Sequence, residues 1–311
     1  MRLLALAVLG FLGCGRFGFE ELEPDGVVDG GVRELDGGHG DDGGNAFGAD
    51  AALPNCFDVA CLRLIVDRAS FLRDNNTWYP AMTSAYVLDR YEVTVARFRE
   101  FVAAGFGTRA SPPDIGAGAH VAIASSGWTS DWSTILPVST EDLAYRVSSI
   151  PDATFTPNSG SNERLPIVGV TWYEAFAFCI WDGGRLPTVA EHEAAAFGGE
   201  EQRPYPWGAA YDSTKVATGS IESIGSHSPA GDARWGHSDL VGNVDEWALD
   251  YFGELPLPCT NCAQIAPSPT RILLGGSFLG PSNQYGQTGL LHGTGPAQRN
   301  ATVGFRCARD R

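Results

Sequence analysis

The fold is decided by the stretch LPIVGVTWYEAFAFCIWDGGRLPTVAEHEAAAFGG, residues 165–199. Twice in it, a threonine is followed three residues later by a glutamate and then by an apolar run. The two pairs are Thr171 with Glu174 and Thr188 with Glu191. In such a capping box the hydroxyl and the carboxylate bond free backbone amides at the start of a helix. Two helices are therefore predicted, and Gly198 is expected to end the second one.

A third helix is predicted upstream, where Thr94 precedes the sequence VARFREFVAAG. Threonine is a favourable N-cap residue, and Val95, Phe98 and Phe101 recur at the spacing of one helix face. Gly105 is expected to stop this helix. Elsewhere beyond residue 56, aromatic residues are frequent, and glycine or proline interrupts the chain every ten to fifteen residues. This pattern indicates a single loop-rich domain at 56–311, which is long enough to bury a sizeable core.

The N-terminus carries a different signal. Residues 1–14 read MRLLALAVLGFLGC, with a basic residue, an apolar run and a final cysteine. The run is too short to span a bilayer as a helix and is typical of an export signal. We predict a signal peptide at 1–13 and a lipid on Cys14 that anchors the exported chain to a membrane of the cell envelope, at the outer membrane or facing the periplasm. An ordinary signal peptide with an incidental Cys14, or a misassigned start codon, is the alternative.

Residues 14–55 repeat Asp-Gly pairs and contain few large apolar side chains. Such a segment cannot bury enough surface to offset its ordering entropy, so we predict an acidic flexible tether. A calcium role for these pairs is not expected, because the spacing of an EF-hand loop is absent. The whole chain has a net charge of −16. Nucleic acid is therefore excluded as a partner, since its phosphates would be repelled.

Six cysteines follow the lipidation signal, and in an exported protein an even number suggests disulfides. Fifteen connectivities are open. Sequence proximity favours Cys56 with Cys61 and Cys259 with Cys262, which leaves Cys179 for Cys307. The CxxC spacing of residues 259–262 could also indicate a redox motif, but the strand-to-helix context of such motifs is missing. A structural disulfide is the prediction.

Six motifs occur in a fixed order along the domain. They are YEVTVARFREFV at 91–102, LPIVGVTWYEAFAFCIW at 165–181, GGRLPTVAEHEAAAFGG at 183–199, YPWG at 205–208, DLVGNVDEW at 239–247, and LLGGSFLG with VGFRCARD at 273–280 and 303–310. Together they resemble the formylglycine-generating enzyme, or sulfatase-modifying factor, family over nearly all of residues 65–311. The resemblance implies an α+β fold related to C-type lectins, irregular and with little regular secondary structure. It also implies the Cys179–Cys307 disulfide.

The resemblance further implies a calcium site. Asp239 and Glu246 match the family's side-chain ligands, and Gly242 and Val244 match positions that offer backbone carbonyls; oxygen ligands suit this hard cation. The alternative is a tight turn with two solvated acids. Asp245 stands where the family usually has an aromatic residue. A second calcium site of the family is not expected, because its asparagine is missing near Ala217.

Catalytic members of the family bind copper(I) between two cysteines placed just after GGSFL. The corresponding residues here are Gly280 and Tyr285, and Pro281 replaces the histidine that usually follows the first cysteine. Copper(I) is selected by soft thiolates, which these residues cannot supply. Ser277 is the one residue of the usual active-site stretch that remains. Copper is therefore not expected as a cofactor.

Other chemistries have weaker signals. None of His192, His227, His237 and His292 has metal-ligand spacing. Ser277 lacks the GxSxG spacing of a serine hydrolase. Exposed aromatic residues such as Trp128 and Trp132 could line a glycan- or peptide-binding cleft, although packing into the core is favoured over exposure.

The sequence thus predicts a lipoprotein with a non-catalytic domain that binds or scaffolds an unidentified protein, peptide or glycan. The alternative is an oxidoreductase that converts cysteine to formylglycine, or performs a related oxidation, at a rearranged site. Converging polar groups around Ser277, Asn283 and Tyr285 would favour that alternative.

Overall fold

The computed structural model describes residues 62–280 and 291–311. The strands in this part are β1 Arg63–Val66, β2 Ala69–Leu72, β3 Pro80–Thr83, β4 Tyr86–Asp89, β5 Asp245–Tyr251, β6 Cys259–Thr260, β7 Arg271–Leu274, β8 His292–Thr294, β9 Val303–Gly304 and β10 Ala308–Asp310. The α-helices are α1 Val95–Ala103, α2 Ser130–Ser133, α3 Thr140–Ser148, α4 Trp172–Trp181 and α5 Val189–Phe197. The predicted signal peptide at 1–13, the tether at 14–55 and residues Cys14, Cys56, Cys61, Pro281, Asn283 and Tyr285 lie outside the described part and remain predictions.

All three predicted helices are confirmed, with their caps. Thr94 accepts a hydrogen bond from the backbone amide of Arg97 at the start of α1. Both capping boxes are complete, at Thr171 for α4 and at Thr188 for α5. Gly198 ends α5 in the left-handed conformation, with φ of 69°. These local signals act within one turn, which is why they could be read from the sequence.

Helix α3 was missed by the sequence analysis. Its N-cap is Ser139, whose hydroxyl accepts a hydrogen bond from the amide of Asp142 at 3.2 Å. It is amphipathic, with Leu143 and Val147 buried. A serine cap followed by acidic residues in the first turn was a readable helix signal.

The strands form three small sheets with the orders β1-β4-β10, β2-β3-β6 and β8-β7-β5-β9. The last strand, β10, pairs antiparallel with β4, so the C-terminal segment closes the first sheet. Strand β5 pairs antiparallel with β7 and parallel with β9. Distant segments therefore build each sheet, which explains why the strands were not predicted individually.

Helix α4 lies at the centre of the main core. Its side chains are apolar on nearly every face, and Trp172, Phe176 and Phe178 are fully buried. The ring of Phe178 contacts Phe98 of α1 at 5.9 Å and Phe305 at 5.3 Å between centroids. A helix that is apolar all round is expected to be buried, and α4 meets that expectation.

Two of the predicted disulfides are present. Cys179 of α4 is bonded to Cys307, which lies just before β10, and both are fully buried. Cys259 of β6 is bonded to Cys262. No helix within residues 62–280 and 291–311 has the length and apolar character needed to cross a membrane.

Candidate functional site

The segment that carries the family's active-site residues follows β7 as a tight turn, GGSFLG at 275–280. Gly275 has φ of 82°, and a Cβ there would lie 2.9 Å from the carbonyl oxygen of Leu240. The turn is tied down by two backbone bonds: the amide of Phe278 donates to Asn243, and the amide of Gly219 donates to Phe278. Only glycine fits at 275, because the backbone conformation and the close approach both exclude a side chain.

Gly280, which the sequence resemblance aligns with the first copper-binding cysteine, ends this turn and is partly exposed. The part of the chain that the structure describes holds four cysteines, and all four are disulfide-bonded. None of these four is therefore free to act as a thiolate ligand for copper(I). Ser277 is partly exposed in the same turn. Tyr285 lies outside the described residues.

Next to this turn, Asp245 opens strand β5 at the position where the family usually has an aromatic residue. The carboxylate Oδ1 of Asp245 lies 3.2 Å from Nε2 of His292, on β8 of the same sheet. The imidazole is partly exposed, whereas the carboxylate is largely buried. The Asp245–His292 pair was not predicted from the sequence.

The residues of the predicted calcium pattern are brought together around Arg306. This guanidinium is fully buried and contacts both carboxylate oxygens of Glu246, at 2.6 Å from Nη2 and 2.7 Å from Nε. Its Nη2 also donates to the backbone carbonyl of Asp239 at 3.0 Å. The carboxylate of Asp239 accepts a hydrogen bond from the amide of Gly225 at 2.6 Å. Both predicted acids are buried and bonded, so the alternative of two solvated acids is wrong.

A third acid, Glu92, joins this cluster and was missed by the sequence analysis. The amide of Asn243 donates to Glu92 Oε1 at 3.0 Å, and Glu92 Oε2 is buried without a hydrogen-bond partner. Burial raises the pKa of Glu92 well above its ordinary value, and the charge of Asp239 raises it further. Glu92 precedes the 239–246 motif by about 150 positions, and nothing in the sequence connects the two.

The cluster suits a cation in its charge and in the chemical type of its groups, but it is not one of the two groupings in the described part whose ligand atoms lie close enough together to hold a metal ion. Three carboxylates, Glu92, Asp239 and Glu246, face the single guanidinium of Arg306, which leaves two negative charges in surplus when all are ionised. An unpartnered buried carboxylate oxygen costs free energy unless it is protonated or bound to a cation. Carboxylate and carbonyl oxygens are what calcium prefers. Gly242 has φ of 81° and Val244 is fully buried.

The histidines considered from the sequence take separate positions. His192 and His237 are buried, and burial lowers the pKa of each to about 3. His227 is paired with Glu222, with Nε2 3.2 Å from the carboxylate. Two groupings of potential metal ligands occur in the described part, and neither contains any of these histidines or His292. One includes the disulfide-bonded Cys307, and in the other Glu191 is already bonded by the guanidinium of Arg185.

Trp128 does not line a cleft. It is 1% exposed and packs against Phe176 and Trp132, with centroids 5.9 and 5.6 Å away. Trp132 is half-buried against Trp172 at 5.1 Å. The prediction that these tryptophans pack into the core is confirmed, and the exposed aromatic cleft is wrong for this pair.

A second cluster of buried charges lies near the sheet β2-β3-β6. Arg73 is 1% exposed and makes no ion pair among the residues that the structure describes. Glu193 of α5 is also buried, and neither of its carboxylate oxygens has a hydrogen-bond partner. Burial raises the pKa of Glu193 to about 8, against the opposing effect of Arg73. Glu193 is therefore mainly protonated at neutral pH.

We predict that Glu193→Gln makes the protein less sensitive to alkaline pH. A carboxyl group whose pKa is raised on folding destabilises the folded state progressively as pH rises from its unfolded value, near 4.5, to its folded value, about 8. The free energy of unfolding of the variant minus that of the wild type should therefore be larger at pH 8 than at pH 5 by about 3 kcal/mol. Urea unfolding at both pH values measures this difference. If the difference between variant and wild type is the same at both pH values, the raised pKa of Glu193 is contradicted. Glu141→Gln, at an exposed position, serves as the control.

The family model described as "Sulfatase-modifying factor enzyme 1-like domain" matches residues 71–311. A Bos taurus protein named inactive C-alpha-formylglycine-generating enzyme 2 is 32% identical over 173 residues, which cover 49% of this chain and 53% of that protein. The formylglycine-generating enzyme of Thermomonospora curvata is 28% identical over 260 residues, covering 73% of this chain and 82% of that enzyme. The chain spans about half the length, or less, of the first curated relatives it matches.

Two solved structures share the fold. Treponema denticola variable protein 1 superimposes with a TM-score of 0.53 at 18% identity, covering 80% of this chain and 95% of that one. PvdO from Pseudomonas aeruginosa superimposes with a TM-score of 0.55 at 18% identity, covering 80% of this chain and 94% of that one. At this level of identity the likeness establishes the fold, and function has to be argued from the site.

Proposed function

The chain belongs to the sulfatase-modifying factor family, and from that premise we propose that its domain is a binding or scaffolding module that does not oxidise cysteine to formylglycine. Its α+β fold is that of the formylglycine-generating enzymes, which is related to C-type lectins. The ligand is a protein, peptide or glycan. A fold of this kind can keep its recognition surface after its catalytic residues are lost, because function lies in the site rather than in the fold.

One observation carries the proposal. Every cysteine of the described part is engaged in a disulfide, and the sequence resemblance aligns Gly280 with the first copper-binding cysteine of the family. Without a free pair of soft ligands, residues 62–280 and 291–311 offer copper(I) no thiolate site, which favours a domain without the oxidation chemistry of the family. The relatives that match this chain include proteins named as inactive formylglycine-generating enzymes, in Bos taurus and Mus musculus. Loss of activity is therefore compatible with this family fold.

We expect no conversion of a peptide that contains Cys-x-Pro-x-Arg. The full chain is incubated with the peptide, copper(I) and oxygen, and an aldehyde-reactive hydroxylamine with mass spectrometry detects the product. The yield should equal that of a reaction without protein, whereas the Thermomonospora curvata enzyme serves as the positive control. Aldehyde formation that depends on this chain would overturn the proposal.

The second candidate function is an enzyme with a rearranged site, an oxidoreductase of the same family. The observation in its favour is the pair Asp245–His292, whose carboxylate and imidazole lie 3.2 Å apart beside the GGSFLG turn. If the peptide is converted, His292→Ala tests this candidate, because the conversion should then be lost while binding of the peptide is kept.

The proposal places the domain at the cell envelope. Cys14 would carry the lipid, and the Asp/Gly-rich residues 14–55 would hold the domain away from the membrane. Mass spectrometry of the mature N-terminal peptide tests this, since a diacylglyceryl cysteine at position 14 is expected. An unmodified N-terminus at any other residue would contradict it.

The proposal also includes one calcium ion, bound by the cluster around Asp239 and Glu246 together with Glu92. The ion would neutralise the surplus negative charge and stabilise the folded state. An ion held at one hundred times its dissociation constant adds about 2.7 kcal/mol, so millimolar calcium should raise the melting temperature by about 5 °C or more over EDTA. In Glu92→Gln this rise should shrink. If the melting curves of the wild type in calcium and in EDTA superimpose, the calcium site is contradicted. Magnesium at the same concentration serves as the control for ionic strength.

A further inference from the structure

The disulfide Cys259–Cys262 differs from Cys179–Cys307 in what surrounds it. Cys179 and Cys307 are both fully buried in the core. Cys262 is partly exposed, and Cys259, which is 4% exposed, lines an open surface cleft of about 600 Å³. A disulfide that a thiol can reach reacts by exchange, whereas one sealed in a core does not.

A guanidinium lies directly on one of the two sulfurs. Arg73 Nη1 lies 3.5 Å from Cys262 Sγ, and Arg73 Nη2 donates to the carbonyl of Pro256 at 2.6 Å. The remaining donor, Nε, is buried without a partner. Arginine keeps its charge in proteins, so this is a buried cation whose acceptors are a neutral carbonyl and a disulfide sulfur. Two acids act electrostatically on Arg73: Glu193 is mainly protonated at neutral pH, whereas Asp250, whose pKa burial raises to about 6, is mainly ionised and makes no direct ion pair with Arg73 among the described residues.

The cleft is formed by the sheet β2-β3-β6 and is lined mostly by apolar side chains. Phe71, Met82, Pro258 and Cys259 are among the residues that line it. Cys259 stands opposite Ala81 in the parallel pairing of β6 with β3. An extended segment of a partner chain that lies in this cleft would bring its side chains to the Cys259 sulfur.

We propose that Cys259–Cys262 is a redox-active disulfide that exchanges with a dithiol carried by a partner protein, with Arg73 stabilising the leaving thiolate. The partner is defined by this chemistry, since the cleft leads to Cys259 while the cation sits on Cys262. The sequence favoured a structural disulfide because the strand-to-helix context of redox motifs is missing, and Arg73 precedes Cys262 by 189 positions, so nothing local connects the two. The inference is independent of the proposed binding function.

The exchange proceeds in two steps. A thiolate of the donor attacks Cys259 Sγ, the Cys259–Cys262 bond breaks, and Cys262 leaves as a thiolate beside Arg73. The donor's second thiol then loses its proton and attacks the donor sulfur of the mixed disulfide. Cys259 leaves and takes up a proton. Two electrons have passed from the donor to the protein, the donor is a disulfide, and no net proton is released, because Cys259 takes up as many protons as the donor's second thiol loses.

The equilibrium is tested on the full chain with dithiothreitol as the dithiol. The protein is equilibrated at graded ratios of reduced to oxidised dithiothreitol, free thiols are alkylated, and each cysteine pair is followed by peptide mass spectrometry. The ratio of reduced to oxidised dithiothreitol at which Cys259–Cys262 is half-reduced should be at least tenfold lower than the ratio at which Cys179–Cys307 is half-reduced. In Arg73→Met the ratio for Cys259–Cys262 should rise roughly tenfold, and in Arg73→Lys it should stay near that of the wild type. Equal ratios for the two disulfides, or no effect of Arg73→Met, would overturn the proposal.

A second measurement covers the case in which Arg73→Met does not fold. In Cys259→Ser the remaining Cys262 thiol is alkylated with iodoacetamide across a range of pH. The pKa of this thiol should lie about one unit or more below the usual 8.5, because the thiolate is paired with Arg73. A pKa at or above 8.5 would show that Arg73 does not stabilise the Cys262 thiolate, and the disulfide would then be structural.

Access through the cleft is tested separately. Ser70 is exposed on β2 and lines the cleft, so Ser70→Trp should slow reduction by a cysteine-containing dithiol peptide several-fold. The equilibrium ratio should not change, because blocking access alters the rate alone. Ser161→Trp, at an exposed position outside the cleft, is the matched control. Equal rates in the two variants would contradict entry through the cleft.

Discussion

Removal of the Cys179–Cys307 disulfide should lower the free energy of unfolding by about 4 to 5 kcal/mol, the largest effect expected for a change of two side chains in this protein. The bond joins α4 to the segment before β10 across a sequence separation of 128. A crosslink of that span strongly restricts the unfolded chain, so its removal increases the entropy of the unfolded state. Both sulfurs are buried in the core.

The measurement is urea unfolding of Cys179→Ala/Cys307→Ala against the wild type, without thiol reductant. Cys259→Ala/Cys262→Ala is the matched control, because its short loop should cost about 2 kcal/mol or less. Domains are stable by only about 5 to 15 kcal/mol, so the first variant should be close to unfolding at 37 °C. A loss below about 1 kcal/mol, or equal losses in the two variants, would contradict the role assigned to the long crosslink.

Replacement of Arg306 by methionine should cost about 3 to 5 kcal/mol. The guanidinium is fully buried, holds both carboxylate oxygens of Glu246, and also donates to the backbone carbonyls of Arg90 and Asp239. Its removal leaves Glu246 as a buried charge without a partner and orphans the carbonyls.

Thermal or urea unfolding measures this cost, and Arg146→Met is the control. Arg146 is paired with Asp142 one turn earlier on α3, and it is exposed, so its loss should cost less than about 1 kcal/mol. The double variant Arg306→Met/Glu246→Gln should recover part of the loss, because it also removes the buried charge. If Arg306→Met costs no more than Arg146→Met, the account of the cluster is wrong.

The sequence predicted those features that depend on neighbours in the chain. Thr94, Thr171 and Thr188 cap helices within one turn, and Gly198 ends one, so these positions could be read locally. The family motifs predicted the α+β fold, which is confirmed. The pairing of the cysteines could be narrowed because two pairs are close in sequence.

The remaining features depend on contacts between distant segments. Arg306 donates hydrogen bonds to Glu246, Asp239 and Arg90, and no periodic pattern in the sequence predicts these contacts. Glu92 meets Asn243 in the same way, and Arg73 meets Cys262. A charge buried among segments far apart in sequence can be recognised only after the fold has brought them together, because each residue alone is typical of a solvated surface.

The central claim is that this domain lacks the copper chemistry of its family, and a copper(I) titration tests it most directly. The oxidised full chain is titrated anaerobically against a competing copper(I) chelator, without thiol reductant, so that the disulfides stay intact. The Thermomonospora curvata enzyme is the comparator. We predict that this chain takes no copper from the chelator while the comparator does. One equivalent of copper(I) bound per chain would contradict the claim.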